Sequence, residues 1–109
     1  MGNSLGSAEH LILLALLRLG GSSYSAPLVL EMEERTGKPV SAARVYLALR
    51  RLEGRGLVVS SKKEATPGEG GRGRRTFRIT PKAVRELEET RATLNRFWEG
   101  LKPRLQGRR

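Results

Sequence analysis

The apolar pattern of the chain changes its period at Gly56. Before this glycine, residues 41–55 follow a helical spacing, with one apolar stripe and a basic opposite face. Two short segments follow: 57–61 is rich in β-forming residues, and 76–80 alternates between polar and apolar side chains. A glycine-rich stretch, 64–73, separates them. The change of period predicts a helix followed directly by a β-hairpin, and therefore a small, mostly helical α+β fold.

Caps and glycines predict two helices in the first third of the chain. Ser7 can cap a first helix that ends at Gly20, and because its apolar side chains point nearly all round, it must be buried on several sides. Ser25, which is followed by a proline in the first turn, can cap a second helix that stops at Gly37. Both precede the helix described above, so three helices stand before the hairpin.

A fourth helix is predicted to begin at Thr80-Pro81 and to run to about Gly100. Small or apolar side chains recur along it at intervals of four and three residues, at Ala83, Leu87, Thr90, Leu94, Phe97 and Leu101. This spacing is typical of a helix that pairs with another helix. Together with residues of the first helix, it predicts a dimerisation surface formed by Leu11, Leu14, Leu87, Leu94, Phe97, Trp98 and Leu101.

The order of these elements is that of a winged helix-turn-helix with an appended C-terminal helix. We expect residues 1–80 to form the winged helix-turn-helix DNA-binding domain and residues 81–101 to form the C-terminal dimerisation helix. Residues 102–109 then form a basic tail.

Positive charge is concentrated in the third helix and the hairpin. The chain has 21 Lys and Arg residues against 11 Asp and Glu residues, a formal net charge of +10, which favours a polyanionic partner. Residues 38–78 hold eleven of the basic residues and three of the acidic ones, so +8 of this charge lies there. In a winged helix these two elements meet DNA. Double-stranded DNA is therefore the expected partner, ahead of an anionic membrane.

The expected DNA contacts divide between the third helix and the wing. We expect Arg44 and Arg50 to contact bases or nearby phosphates, and the arginines of the hairpin to bind the phosphate backbone of the DNA. Tyr46 lies about 105° from the centre of the apolar stripe, so it is either a core aromatic or a phosphate ligand at the groove edge. The candidate DNA-binding residues are Ser41, Ala43, Arg44, Tyr46, Leu47, Arg50, Arg51, Lys62, Lys63, Arg72, Arg74 and Arg75.

The sequence gives little support to catalysis or metal binding. The chain has no cysteine and one histidine, His10, so neither a cysteine-based zinc site nor a nucleophilic dyad is expected. Residues 68–73 match the pattern G-x-G-x-x-G, but a strand follows where a dinucleotide-binding fold needs a helix. We therefore expect no enzyme activity, no cofactor and no metal.

No membrane-spanning segment is expected either. The longest apolar run, residues 11–17, is far shorter than the roughly 20 residues that cross a bilayer. The first residues lack the basic region of an export signal, and a chain without cysteine suits a reducing compartment. These features predict a cytoplasmic protein that has no membrane partner.

Two segments carry a resemblance to a known family. The first is Ser41-Ala-Ala-Arg-Val-Tyr-Leu-Ala-Leu-Arg-Arg-Leu-Glu-Gly-Arg-Gly-Leu-Val58, and the second is Gly70-Gly-Arg-Gly-Arg-Arg-Thr-Phe-Arg-Ile-Thr-Pro81. They resemble the PadR family of bacterial transcriptional regulators, in its short form with a single C-terminal dimerisation helix. The resemblance implies a homodimeric repressor that binds a palindromic operator. It also allows an aromatic small-molecule effector to bind at the dimer interface near Trp98.

Two other classes of protein remain open from the residues alone. A non-specific nucleic-acid-binding or architectural protein would use the positive charge without reading sequence, and would bind any duplex with similar affinity. A protein-interaction adaptor would use the helix-pairing seam and would not bind duplex DNA above background.

Overall fold

The computed structural model describes residues 7–63 and 74–102, which form four helices and a small sheet. In chain order the elements are α1 (Ser7–Arg18), β1 (Ser22–Ser23), α2 (Ser25–Thr36), α3 (Ala42–Gly54), β2 (Val58–Lys63), β3 (Arg74–Ile79) and α4 (Pro81–Trp98). This is the order of a winged helix-turn-helix with a helix appended at its C-terminal end, so the predicted fold class is confirmed.

The sheet is antiparallel, with the strand order β1-β3-β2. Strands β2 and β3 form the predicted hairpin, called the wing below, in a register that runs from Val58 opposite Ile79 to Lys63 opposite Arg74. The alternation of β3 is observed as predicted, since Phe77 is buried and its neighbours are not. The expected tip of the hairpin, residues 64–73, lies outside the described residues.

Strand β1 was not predicted. It contains only Ser22 and Ser23, which pair with Arg78 and Phe77 of β3. Gly20 and Gly21 turn the chain into this strand with positive φ angles of 92° and 96°, a backbone conformation that favours glycine. A two-residue strand is too short to carry an alternating pattern, so the sequence signals the turn but not the strand.

One apolar core joins all four helices to the wing. The stripe predicted on α3 is buried as expected, and Leu49 and Leu52 have no exposed surface. The core also takes side chains from every other helix and from β3, and no polar side chain of the described residues is buried. Its largest fully buried members are Phe77, Ile12, Leu13, Leu16, Leu28, Leu49, Leu52, Leu57 and Val58.

Helix α1 is buried on one face only, contrary to the expectation of burial on several sides. Its core face consists of Ile12, Leu13, Ala15 and Leu16, whereas its outer face is open to solvent. The outer face carries Leu11, Leu14 and Leu17, which are 45%, 39% and 39% exposed. A single copy of the chain therefore does not supply all the packing that the apolar composition of α1 calls for.

The predicted helix caps are partly confirmed. The Ser41 hydroxyl accepts a hydrogen bond from the Arg44 backbone N–H, and Thr80 caps α4 in the same way. Ser7 and Ser25, however, are helical residues rather than caps, and α2 is preceded by Tyr24, which makes no side-chain cap hydrogen bond. Pro27, in the first turn of α2, still favours a helix start there, because its fixed φ suits a helix and it has no backbone N–H that needs a partner.

Glu31 ties α1 to α2. Its carboxylate accepts hydrogen bonds from Arg35, at 2.9 Å, and from Arg18 at the end of α1, at 3.0 Å. The Arg35 guanidinium holds the pKa of the Glu31 carboxyl below its usual value, and Arg18 adds to the effect.

Within the part of the chain that the structure describes, no helix is long and apolar enough to cross a membrane.

We predict that Ser41→Ala lowers the free energy of unfolding by about 1 kcal/mol, because it removes the acceptor for an N–H in the first turn of α3. Urea denaturation without DNA measures the change. Ser61→Ala is the matched control, since Ser61 is exposed on β2, and its effect should stay within about 0.5 kcal/mol. Equal stability of Ser41→Ala and the wild-type chain would contradict the capping role.

Candidate nucleic-acid interface

Helix α3 presents one basic face to solvent. While its apolar stripe packs into the core, the positions predicted to contact DNA all remain exposed. We call the following residues the outer face of α3: Ala43, Arg44, Leu47, Arg50 and Arg51. Because the helix is amphipathic along its whole length, the same buried stripe that fixes α3 on the body also fixes the direction of this face.

Tyr46 connects α3 to the wing. Its ring meets Phe77 of β3 edge to face, with the centroids 5.9 Å apart and an interplanar angle of 81°. The Arg50 guanidinium lies 6.0 Å from the Tyr46 centroid, at the outer limit of a cation–π contact. Tyr46 is 39% exposed, so it both packs against the core and reaches the surface. The two alternatives that the sequence left open are thus not exclusive.

Glu53 links Arg50 to the wing through a chain of polar contacts. The Glu53 carboxylate lies 3.3 Å from Arg50 Nη1 and accepts a hydrogen bond of 2.7 Å from the Ser60 hydroxyl on β2. Arg75 Nη1 on β3 donates in turn to Ser60 Oγ at 2.9 Å. Sequence reasoning missed this role of Glu53, although its spacing of three residues from Arg50 was a signal. The contacts hold two candidate DNA-binding arginines in a fixed relation.

The remaining arginines of α3, and Arg55 directly after it, differ in their surroundings. Arg51 lies 3.2 Å from the carboxylate of Glu9 on α1, and Arg55 lies 3.4 Å from the same group. Arg44, in contrast, has no ion-pair partner among residues 7–63 and 74–102. A phosphate must compete with Glu9 for Arg51, but meets no such competition at Arg44.

The end of the described wing that adjoins residues 64–73 adds further positive charge. The Arg74 guanidinium lies 5.1 Å from the centroid of the Tyr24 ring, which holds it against the start of α2. Arg74 and Arg75 border an open cleft of about 530 Å³ that Tyr24, Tyr46 and Phe77 also line. Lys62 is exposed, and Lys63 pairs through its backbone with β3. The predicted contact Arg72 and the glycines of 68–73 lie outside the described residues.

Helix α4 divides into two halves. Ala83 and Leu87 in its first half are buried in the core, so Leu87 has only 4% of its surface left for the dimerisation role predicted for it. From residue 91 to residue 102 every side chain is exposed, including four large apolar ones: Leu94, Phe97, Trp98 and Leu101. The helical spacing alone could not tell which positions meet the chain's own core.

A groove of about 420 Å³ runs between α1 and α4. Leu14 and Leu17 line it from α1, and Leu94 and Trp98 line it from the exposed half of α4. His10, the one histidine of the chain, borders the same groove. The described residues contain no cluster of acidic or histidine side chains able to hold a metal ion.

Comparison with known proteins places this geometry in a family. The model of the transcriptional regulator PadR-like family matches residues 13–89, which is more than two thirds of the chain and includes α3, the wing and the start of α4. The chain belongs to the PadR-like family. Its members are transcriptional regulators, and the resemblance stated from the sequence is confirmed.

Solved structures support the assignment. This PadR-like chain is similar to the crystal structure of a PadR family transcriptional regulator from Eggerthella lenta, with 28% identity and a TM-score of 0.68 over 93% of this chain and 86% of that one. It shares its fold with F93 from STIV, a winged-helix DNA-binding protein, at 18% identity and a TM-score of 0.67 over 92% of this chain and 100% of that one.

A PadR-like transcription factor from Bacteroides fragilis has the same fold, with 22% identity and a TM-score of 0.69 over 84% of each chain. No curated protein matches the chain.

Proposed function

We propose that this PadR-like regulator is a homodimeric, sequence-specific repressor that binds a palindromic operator in double-stranded DNA. The outer face of α3 carries the proposal: Arg44 and Arg50 are exposed there while the opposite stripe of the helix is buried. An α-helix with exposed arginines fits the major groove, where an arginine can bind guanine O6 and N7 together.

The wing supplies contacts of a different kind. Arg74 and Arg75 flank the cleft beside α3, so a helix seated in the major groove brings them to the flanking backbone. Contacts to phosphates hold the protein in register but carry no sequence information directly. We therefore assign base reading to Arg44 and Arg50, and backbone binding to Arg74, Arg75 and Ser41.

The proposed dimer uses the apolar surface that a single copy leaves open. The outer face of α1 and the exposed half of α4 both border the groove in which Trp98 lies, so a second copy of α4 can cover them. Burial of this surface supplies the driving force for association. In this proposal residues 1–80, together with the first half of α4, form the DNA-binding body, and the rest of α4 forms the dimer contact.

Selection from a pool of random duplex DNA at physiological salt tests the proposal. We expect enrichment of an inverted repeat whose half-sites lie about one helical turn, ~34–36 Å, apart, because a twofold dimer places one α3 in each half-site. Tight, salt-sensitive binding without enrichment would instead indicate a non-specific nucleic-acid-binding protein. An absence of binding would indicate an interaction adaptor.

Repression and its control follow from the same dimer. A dimer seated on a promoter excludes RNA polymerase from that DNA.

We also propose that a small aromatic effector binds beside Trp98 and weakens DNA binding by favouring a dimer with a different half-site spacing. Trp98 is the one tryptophan of the chain, so its fluorescence reports on this groove. A set of planar aromatic compounds that leaves both this fluorescence and operator binding unchanged would argue against the effector.

A further inference from the structure

Leu47 stands out on the outer face of α3 because it is apolar and 57% exposed. It belongs neither to the core nor to the partly buried side chains packed against the core. Ala43, one turn earlier on the same face, is exposed as well. Residues four apart are neighbours on a helix surface, so these two side chains form a short apolar strip.

Three guanidinium groups surround this strip. Arg44 and Arg50 lie three residues from Leu47 on either side, and Arg51 lies four residues after it. An apolar protein partner that covered Leu47 would take all three charges out of water, and among the described residues Arg44 has no ion-pair partner to offset that cost. A second copy that offered the same face would place arginines against arginines. The charges therefore favour a polyanion, and the apolar strip must then meet an apolar feature of that polyanion.

Major-groove chemistry offers one such feature. Of the groups that base pairs present there, the C5-methyl of thymine is the apolar one, and apolar side chains contact it directly. We infer that Leu47, with Ala43 beside it, packs on a thymine methyl in each half-site and makes that base pair a specificity determinant. The inference rests on the proposed DNA-binding function and adds a residue and a base to it.

Replacement of thymine by uracil tests the contact, because uracil keeps the hydrogen-bonding groups of thymine and lacks the methyl. Each thymine of the duplex enriched in the selection experiment is replaced singly, and the dissociation constant is measured by fluorescence anisotropy. We expect one thymine in each half-site at which uracil weakens binding about fourfold, the effect of exposing one methyl-sized group. Replacement in both half-sites should weaken binding about fifteenfold, since the two sites are separate.

Two variants identify the side chain responsible. In Leu47→Ala the uracil and thymine duplexes should bind with nearly equal affinity, and the variant should fold normally because Leu47 is 57% exposed and lies outside the apolar core. Arg44→Ala is the matched control on the same face: it should bind more weakly overall but keep the fourfold preference for thymine.

The outcomes separate this inference from the function on which it rests. Specific binding that no uracil weakens, or a uracil effect that persists in Leu47→Ala, would overturn the inference and leave the operator-binding function standing. A chain with no sequence preference would overturn both.

Discussion

The variant Leu94→Asp is expected to be a folded monomer that binds operator DNA at least about 100-fold more weakly than the wild-type chain. Leu94 is 51% exposed in the half of α4 that lies outside the core, so a polar residue there leaves the fold of one copy intact. In the proposed dimer the same position is covered, and a carboxylate would be buried without a partner. Loss of the dimer removes the linkage between two half-site contacts, which accounts for the large effect on affinity.

Light scattering measures the mass of each variant against the 12.1 kDa of one chain. Ala92→Asp is the matched control, because it introduces the same charge on an exposed position about 160° around the helix from Leu94. This control should remain a dimer and keep its affinity. A dimeric Leu94→Asp, or a wild-type chain that is monomeric on DNA, would contradict the proposed interface.

Arg50→Ala and Arg74→Ala are expected to weaken DNA binding in different ways. Arg50 lies on the outer face of α3, so its loss should weaken operator binding about 5- to 150-fold and leave binding to random duplex nearly unchanged. Arg74 lies on the wing beside Tyr24, so its loss should weaken binding to both duplexes by a similar factor. It should also reduce the salt slope by about 0.9, the contribution of one phosphate contact.

Anisotropy titrations of both duplexes at several salt concentrations measure these quantities. Arg85→Ala removes the same charge from an exposed position on α4 and controls for net charge alone. If Arg50→Ala and Arg74→Ala lost equal affinity for operator and random DNA, the division into base reading and backbone binding would be wrong.

Local signals explain which parts of the fold the sequence could predict. The cap at Ser41, the stripe that ends in Leu52 and the stop at Gly56 lie within α3 or directly beside its ends, and all three are found as expected. The wing followed in the same way from the alternation around Phe77. Such patterns depend on neighbours a few residues apart, which one sequence displays directly.

The missed features depend on residues far apart in the chain. The contact between Arg51 and Glu9 joins positions 42 residues apart, and no sequence pattern near either residue predicts it. The same holds for Leu87, whose heptad spacing suggested a partner helix although the structure places it in the core of its own chain. Periodicity indicates that a face is covered, but tertiary structure decides what covers it.

The chain of polar contacts through Glu53 was missed for the same reason. Its pairing with Arg50 is local, whereas the contact with Ser60 exists only once β2 has folded back against α3. Before DNA binds, this carboxylate therefore holds Arg50 at the surface and, through Ser60, fixes Arg75 of the wing. Helix and wing are thus positioned together as one surface.

Methylation interference on the selected operator tests the central claim most directly, because methylation of guanine N7 blocks the major groove. The claim is that one dimer seats two α3 helices in successive major grooves. It predicts two clusters of interfering guanines, related by a twofold axis and centred about 10 base pairs apart. A single cluster, or binding that methylation does not disturb, would contradict it.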